Sequence, residues 1–252
     1  IAGTSYTTAN ECFNYYQGQD DKMVLDRDYE ATTTDGLIFN LDADFIPSYP
    51  RNGTTWYDLS GNNHDGTLDN GPLYSGGSFS FDGTDDFVEV SSLGYPWNIP
   101  TITVNLWYFP LSTNPKTNGI NCNLITVENS FEISIGNKNN GYSKIYYASN
   151  PWAWKGDGGN NMPNDQWNMI TYVHSLTDRK MYVNGSLVYT FNNTGGLASG
   201  SASQPSLLLM KRYCCGGSHC NGNLASVSII NRPLSATEIL QNYNSQKERF
   251  GL

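Results

Sequence analysis

Thr101 to Phe109, TITVNLWYF, alternates strictly: Ile102, Val104, Leu106 and Tyr108 fall on one side of an extended chain, and Thr101, Thr103, Asn105 and Trp107 on the other. A two-residue period predicts a β-strand, because successive side chains leave a strand on opposite faces. The theme recurs in GLIFNLDA (36–43), SFSF (78–81), DFVEV (86–90), NLITVE (123–128), FEISIGN (131–137), SKIYYAS (143–149), PSLLLM (205–210) and NLASVSII (223–230). Gly, Pro, Asn and Asp separate these runs, as turns require. Lys180 to Val183 and Ser186 to Phe191 flank Asn184-Gly185, a strong short hairpin signal, since a type I′ turn needs positive φ at both positions. Only the end reads as helix: in PLSATEILQNYNSQ, Ser235 stands three residues before Glu238, a capping box, and Ile239, Leu240 and Tyr243 share a face. About a dozen short strands and one terminal helix predict an all-β chain folded as a two-sheet antiparallel sandwich. Trp56, Trp97, Trp107 and Trp167 are expected in its core.

Composition agrees. Of 252 residues only 15% are charged, 13% are aromatic, 17 are Tyr and 25 are Gly. That balance suits a β-rich extracellular protein with long polar loops. A net charge of −9 argues against nucleic acid or an anionic membrane as partner. No apolar run reaches the ~18 residues of a membrane helix, so no membrane insertion is expected. The chain starts at Ile1 with neither an initiator Met nor a signal peptide, as a processed chain or part of a longer one would. The acidity is concentrated. Residues 1–35 hold Glu11, Asp20, Asp21, Asp26, Asp28, Glu30 and Asp35 against Lys22 and Arg27, so −5 of the −9 lies there. This stretch is polar and turn-rich, with only KMVL (22–25) strand-like, and reads as an acidic arm or linker. Residues 36–252 form the predicted sandwich domain.

There are five cysteines: Cys12, Cys122, Cys214, Cys215 and Cys220. YCCGGSHC lacks the second matching pair of a structural zinc site. Disulfides are expected instead, one pinning this Gly-rich loop and Cys12 to Cys122 as a candidate for another, with one thiol left over.

These pieces together resemble a laminin-G-like, concanavalin A-like jelly-roll domain. The resemblance rests on LIFNLDADFIPSYPRNGTTWYDLSGNNHDGTLDNGPLYSGGSFSFDGTDDFVEV, TITVNLWYFP, the WNMITYVHS…RKMYVNGSLV hairpin and GNLASVSIINRPLSATEILQNYN, and covers roughly Gly36 to Leu252. SYPRNGTTWYDLSG and the ending LSATEILQNYNSQKERFGL narrow it to the variant found on virion proteins of tailed bacteriophages, cyanophages especially. The resemblance implies two curved antiparallel sheets and a binding role towards carbohydrates, glycoconjugates or proteins, often beside calcium. The same sandwich also carries glycosidases, so the site must decide.

Hydrolases of this fold carry Glu-x-Asp-x-Glu or Glu-x-Asp-x-x-Glu on a strand. The nearest match is VENSFEISI, in which Glu128 and Glu132 are four apart but Ser130 replaces the Asp and Asn129-Ser130 reads as a turn. No nucleophile motif appears, and the three histidines lie far apart. The chain is therefore expected not to be an enzyme. For calcium, which takes six to eight oxygens, the candidate ligands are Asp58 and Asn62 in DLSGNNHDG and Asp82, Asp85 and Asp86 in FDGTDD, loops that the resemblance places within reach of each other. The competing reading is that Asp82-Gly83 simply makes a turn. For a sugar, the aromatic and amide-rich loop YYASNPWAWKGDGGNN offers Tyr147, Trp152, Trp154, Asp157, Asn160 and Asn161. Two roles follow. One is a non-catalytic module that binds cell-surface glycans from a virion or other extracellular assembly. The other is a homo-oligomeric subunit of a capsid, tail or filament that assembles through residues 1–35.

Overall fold

The computed structural model describes residues 32–112, 122–138, 142–149, 155–156, 162–192, 195–213 and 219–252. In chain order its strands are β1 Leu37–Asp42, β2 Thr55–Trp56, β3 Gly66–Asp69, β4 Leu73–Ser75, β5 Ser78–Asp82, β6 Phe87–Gly94, β7 Ile102–Phe109, β8 Cys122–Val127, β9 Phe131–Lys138, β10 Tyr142–Ser149, β11 Lys155–Gly156, β12 Met162–Pro163, β13 Asn168–His174, β14 Asp178–Val183, β15 Ser186–Asn192, β16 Ser206–Leu209 and β17 Asn221–Ile230. One helix, α1 Ala236–Asn244, and a 3₁₀ turn, Lys247–Phe250, close the chain.

The strands form two antiparallel sheets. The first has eight strands in the order β15-β14-β13-β7-β17-β5-β4, with β1 also paired to β17. The second has nine, in the order β11-β10-β9-β8-β16-β6-β3-β2, with β12 paired to β10. Between them lies the main core, where the predicted face of β7 (Ile102, Val104, Leu106, Tyr108) meets Val88, Val90, Leu124, Phe131 and Ile133. Asn184 and Gly185 take φ of 51° and 77° between β14 and β15, the hairpin turn that their pairing demands.

The other face of β7 is not bare. Trp107 stacks on Phe250 with ring centroids 4.0 Å apart and lies near-parallel to Tyr243 at 5.9 Å, so α1 and the 3₁₀ turn roof a second apolar cluster. The capping box is present: Ser235 Oγ accepts the Glu238 amide and Glu238 accepts the Ser235 amide. Trp56, Trp97 and Trp107 are buried as expected, but Trp167 is only half-buried, at the margin of the roofed cluster. It lies outside the regular strands, where alternation says nothing of depth.

The SYPRNGTTWYDLSGNN loop has a definite task. β1 pairs β17 on one side only, and this loop satisfies its other edge. The Asn40 amide donates to Asp58 Oδ1 (2.9 Å), and the Leu59 amide donates to the Asn40 carbonyl (2.8 Å). Ile38 O accepts from Ser60 Oγ and Asn62 Nδ2, and the Asp42 amide donates to Ser48 Oγ.

Candidate functional site

Asp82, Asp85 and Asp86 come together, with one carboxylate oxygen of each within 4.8 Å of the others. The cause is topological. β5 belongs to the eight-stranded sheet and β6 to the nine-stranded sheet, so Gly83 to Asp86 is the corner where the chain changes sheets. Gly83 sits at φ 78°, and a Cβ there would stand 3.0 Å from Asn221 Cβ, so glycine is required twice over. Asp82 Oδ1 accepts the Thr84 amide at 2.7 Å, and Asp86 Oδ2 accepts the Asp82 amide at 3.0 Å. The Thr84 amide, with further backbone amides of the turn, holds the exposed Asp82 carboxyl below its ordinary range, whereas burial, then Asp82 and Asp85, push Asp86 up against the pull of the Asp82 amide. Asn221 pairs with Asp82 across the strands, and its Oδ1 is buried with no hydrogen-bond partner among the described residues.

Asp58 and Asn62 are not part of this cluster. Asp58 accepts the Asn40, Ser60 and His64 amides and the Ser60 hydroxyl, and Asn62 Nδ2 spans Ile38 O and Ser60 Oγ. Both side chains tie the loop to β1.

The second feature is the face of the nine-stranded sheet turned away from the main core. Asn123 and Thr126 on β8 and Glu132 and Ser134 on β9 point there, opposite the core-facing Ile125, Ile133 and Ile135, and are nonetheless buried. Glu128, in the turn that Asn129 makes at φ 61°, joins them. Glu132 is 0% exposed and Glu128 5%, so both carboxylates are buried. Arg212 explains how they are tolerated. Its Nε lies 2.9 Å from Glu132 Oε1 and its Nη2 donates to Glu128 Oε1 at 3.2 Å, while Asn123 Nδ2 donates to Glu132 Oε2 at 2.8 Å. Two buried carboxylates share one guanidinium, and burial pushes Glu132 up to about 7, against the pull of Arg212. Thr126 Oγ1 and Ser134 Oγ on this face have no hydrogen-bond partner among the described residues.

Arg212 belongs to a strap. Met210, at φ 64°, turns the chain out of β16 and over the same face, and the Cys220 amide returns to the Met210 carbonyl at 2.9 Å. Along the strap Lys211 Nζ lies 3.6 Å from the centre of the Phe87 ring, and the Tyr213 hydroxyl reaches 3.5 Å from Glu89 Oε1. Asp69, Phe87, Glu89, Lys211 and Tyr213 are all half-exposed, so this rim is open to solvent while the Glu128–Arg212–Glu132 clamp behind it is closed. Burial and the neighbouring Glu89 raise the Asp69 carboxyl, against the pull of Lys211. The rim combines aromatic rings and carboxylates, the groups that hold sugar C–H faces and hydroxyls. The sequence pointed elsewhere because Lys211 and Tyr213 lie more than 120 residues from Phe87 and Glu89, which they join.

Of the predicted sugar ligands, the Tyr147 backbone pairs with Ile133 and Lys155 in β10. Trp152, Trp154, Asp157, Asn160 and Asn161 lie outside the described residues, as do Cys12, Cys214 and Cys215. Cys122 starts β8, and Cys220 is buried and disulfide-bonded.

Residues 81–240 match the Laminin_G_3 profile of the concanavalin A-like lectin/glucanases superfamily, and the chain belongs to that family. Among solved structures it is similar to domain 4 of AbnA, a GH43 extracellular arabinanase from Geobacillus stearothermophilus in complex with arabinotriose (16% identity, TM-score 0.59, 82% of this chain and 98% of that one). It is similar also to the botulinum neurotoxin serotype D ligand-binding domain in complex with N-acetylneuraminic acid (15%, 0.61, 86% and 53%) and to Trypanosoma rangeli sialidase (12%, 0.57, 87% and 34%). At these identities the likeness is one of fold. The chain spans nearly all of the first of these but only about half and a third of the other two. No curated protein matches it by sequence.

Proposed function

We propose that this chain is a non-catalytic carbohydrate-binding module that reads cell-surface glycans from an extracellular assembly, a virion included. The observation that carries the reading is the division of the outer sheet face into an open rim (Asp69, Phe87, Glu89, Tyr213) and a sealed carboxylate pair. Retaining hydrolysis needs two carboxyl groups ~5–5.5 Å apart and open to a glycosidic bond. Here Glu128 and Glu132 are buried and locked to one arginine, which makes them a clamp. Family membership and the sugar complexes of two similar folds support the same class of ligand. The virion setting rests on the phage-like SYPRNGTTWYDLSG and C-terminal stretches.

The direct test is a broad glycan array followed by calorimetry. Asp69→Asn with Glu89→Gln is expected to weaken the best ligand about 10-fold or more, the loss of one or two charge-assisted hydrogen bonds. Trp152→Ala with Trp154→Ala asks the same of the Trp-rich loop. Failure of every glycan to bind, or hydrolysis of one that Glu132→Gln abolishes, defeats the reading.

The acidic corner fits calcium as a proposal. Asp82, Asp85 and Asp86 would hold it, with the unpartnered Asn221 Oδ1 as a neutral oxygen, and the ion would add charge and order to the corner. Calorimetric titration with CaCl₂ should show binding that Asp85→Asn abolishes. A role as an assembling subunit is compatible with both; the described chain begins beside α1, where the Thr33 amide donates to Asn242 Oδ1.

A further inference from the structure

At 15% identity the likeness to a domain seen with N-acetylneuraminic acid is one of fold, so the class of glycan must be read from this face's own charge. The open rim and the acidic corner are one continuous surface. Asp69 on β3 stands opposite Phe87 on β6; Leu68 and Val88, the next pair, face the core, so Asp69 and Phe87 face outward, with Glu89 two residues on. Asp86 directly precedes Phe87. Asn70, directly after Asp69, donates through Nδ2 to the Asp85 carbonyl at 2.9 Å. Five carboxylates therefore follow one another along this surface: half-exposed Asp69 and Glu89 on the strands, exposed Asp82 and Asp85 at the corner, and Asp86 buried within it.

Little offsets them. Among the described residues none of the five is in an ion pair. The Lys211 ammonium is already seated 3.6 Å from the centre of the Phe87 ring, and Arg212 behind it is buried and shared by Glu128 and Glu132. The His219 ring lies 6.3 Å from that of Phe87. Burial, then Glu89, raises the Asp69 carboxyl against the pull of Lys211, so like charges crowd here before any ligand arrives. The whole chain carries −9 as well. A ligand carboxylate or sulfate laid on this surface meets like charge, which weakens binding and slows encounter. A neutral glycan meets no such field, and its hydroxyls can donate to Asp69 and Glu89.

We propose that the rim selects glycans that carry no carboxylate or sulfate, so that sialic acid and uronic acid ends are turned away by charge. This rests on the glycan-binding reading above and gives that reading its ligand class.

A glycan array of matched pairs tests it, each neutral oligosaccharide beside its sialylated or sulfated form, with calorimetry on the best pair. The full chain is assayed in EDTA and low salt at about pH 8, where the corner carries no metal and an ordinary histidine is uncharged. The neutral member should bind at least about 10-fold more tightly, and the gap should close towards about 1 M salt, where the Debye length falls to about 3 Å. Thr67, exposed and opposite Glu89 in the ladder, allows a charge to be added beside the rim. Thr67→Lys should narrow the gap several-fold, and Thr67→Gln should not. An acidic member that binds as tightly as its neutral partner overturns the proposal and leaves the glycan reading intact. A gap that neither salt nor Thr67→Lys changes also overturns it, because the selection would then be one of shape. Silence across the whole array defeats the glycan reading, and this inference with it.

Discussion

At the scale of single residues, burial of charge is what distinguishes this chain. Arg212 bridges two carboxylates from one hairpin, and removing one partner of a buried ionic group leaves the other's charge buried without compensation. Arg212→Met is expected to destabilise by about 3–5 kcal/mol at pH 8. The loss should be smaller at pH 5, where Glu132, with its carboxyl at about 7, already carries a proton. Urea denaturation at the two pH values reads the difference, and equal losses would refute the clamp. Gly83→Ala should cost about 1–3 kcal/mol from its positive φ alone, before the crowding against Asn221, as thermal unfolding would show. None of this is visible in the local sequence. VENSFEISI showed the turn at Asn129-Ser130, but the arginine that makes Glu128 and Glu132 tolerable stands 84 residues after Glu128.

At the scale of elements, local pattern succeeded where chemistry is local. The alternation of TITVNLWYF told the two faces of β7 apart, Asn184-Gly185 specified the hairpin, and Ser235 with Glu238 specified the start of α1. It fell short where one local signal serves two topologies. Asp82-Gly83 reads as a turn whether the next strand pairs with β5 or crosses to the other sheet, and here it crosses. Likewise Asp58 and Asn62 have the composition of ligands, yet they hold the edge of β1. Asp58→Ala leaves the Asn40, Ser60 and His64 amides without their acceptor, and should cost at least about 1.5–3 kcal/mol, the range for a hydrogen bond to a charged group. Exchange of the Asn40 amide should accelerate alongside. If calcium binding disappears in Asp58→Ala while stability holds, the assignment of Asp58 to β1 is wrong.

For the whole molecule, two buried groups set opposing pH dependences. Glu132 titrates near 7 in the fold against an ordinary 4.5, so between those values the folded chain holds a proton that the unfolded chain has released, and stability falls as pH rises. His174, lowered to about 4 by burial and by Arg179, behaves oppositely: from 4 to 6.5 the unfolded chain holds the proton, and stability rises with pH. Each slope approaches about 1.4 kcal/mol per pH unit, so between pH 4.5 and 6.5 the two nearly cancel. Glu132→Gln should expose the histidine limb, a gain of about 2–3 kcal/mol across that window. Denaturation profiles of mutant and parent that superpose would dismiss the pair as the source. The strap carries a different consequence. Its two ends are fixed by backbone hydrogen bonds, Met210 N–H to Leu124 O and Cys220 N–H to Met210 O. Doubling such a loop adds only about 0.6 kcal/mol of closure entropy. On the glycan-binding reading proposed above, Lys211 and Tyr213 can therefore be exchanged with Arg212 kept, which should change what the rim binds while the sandwich stays folded.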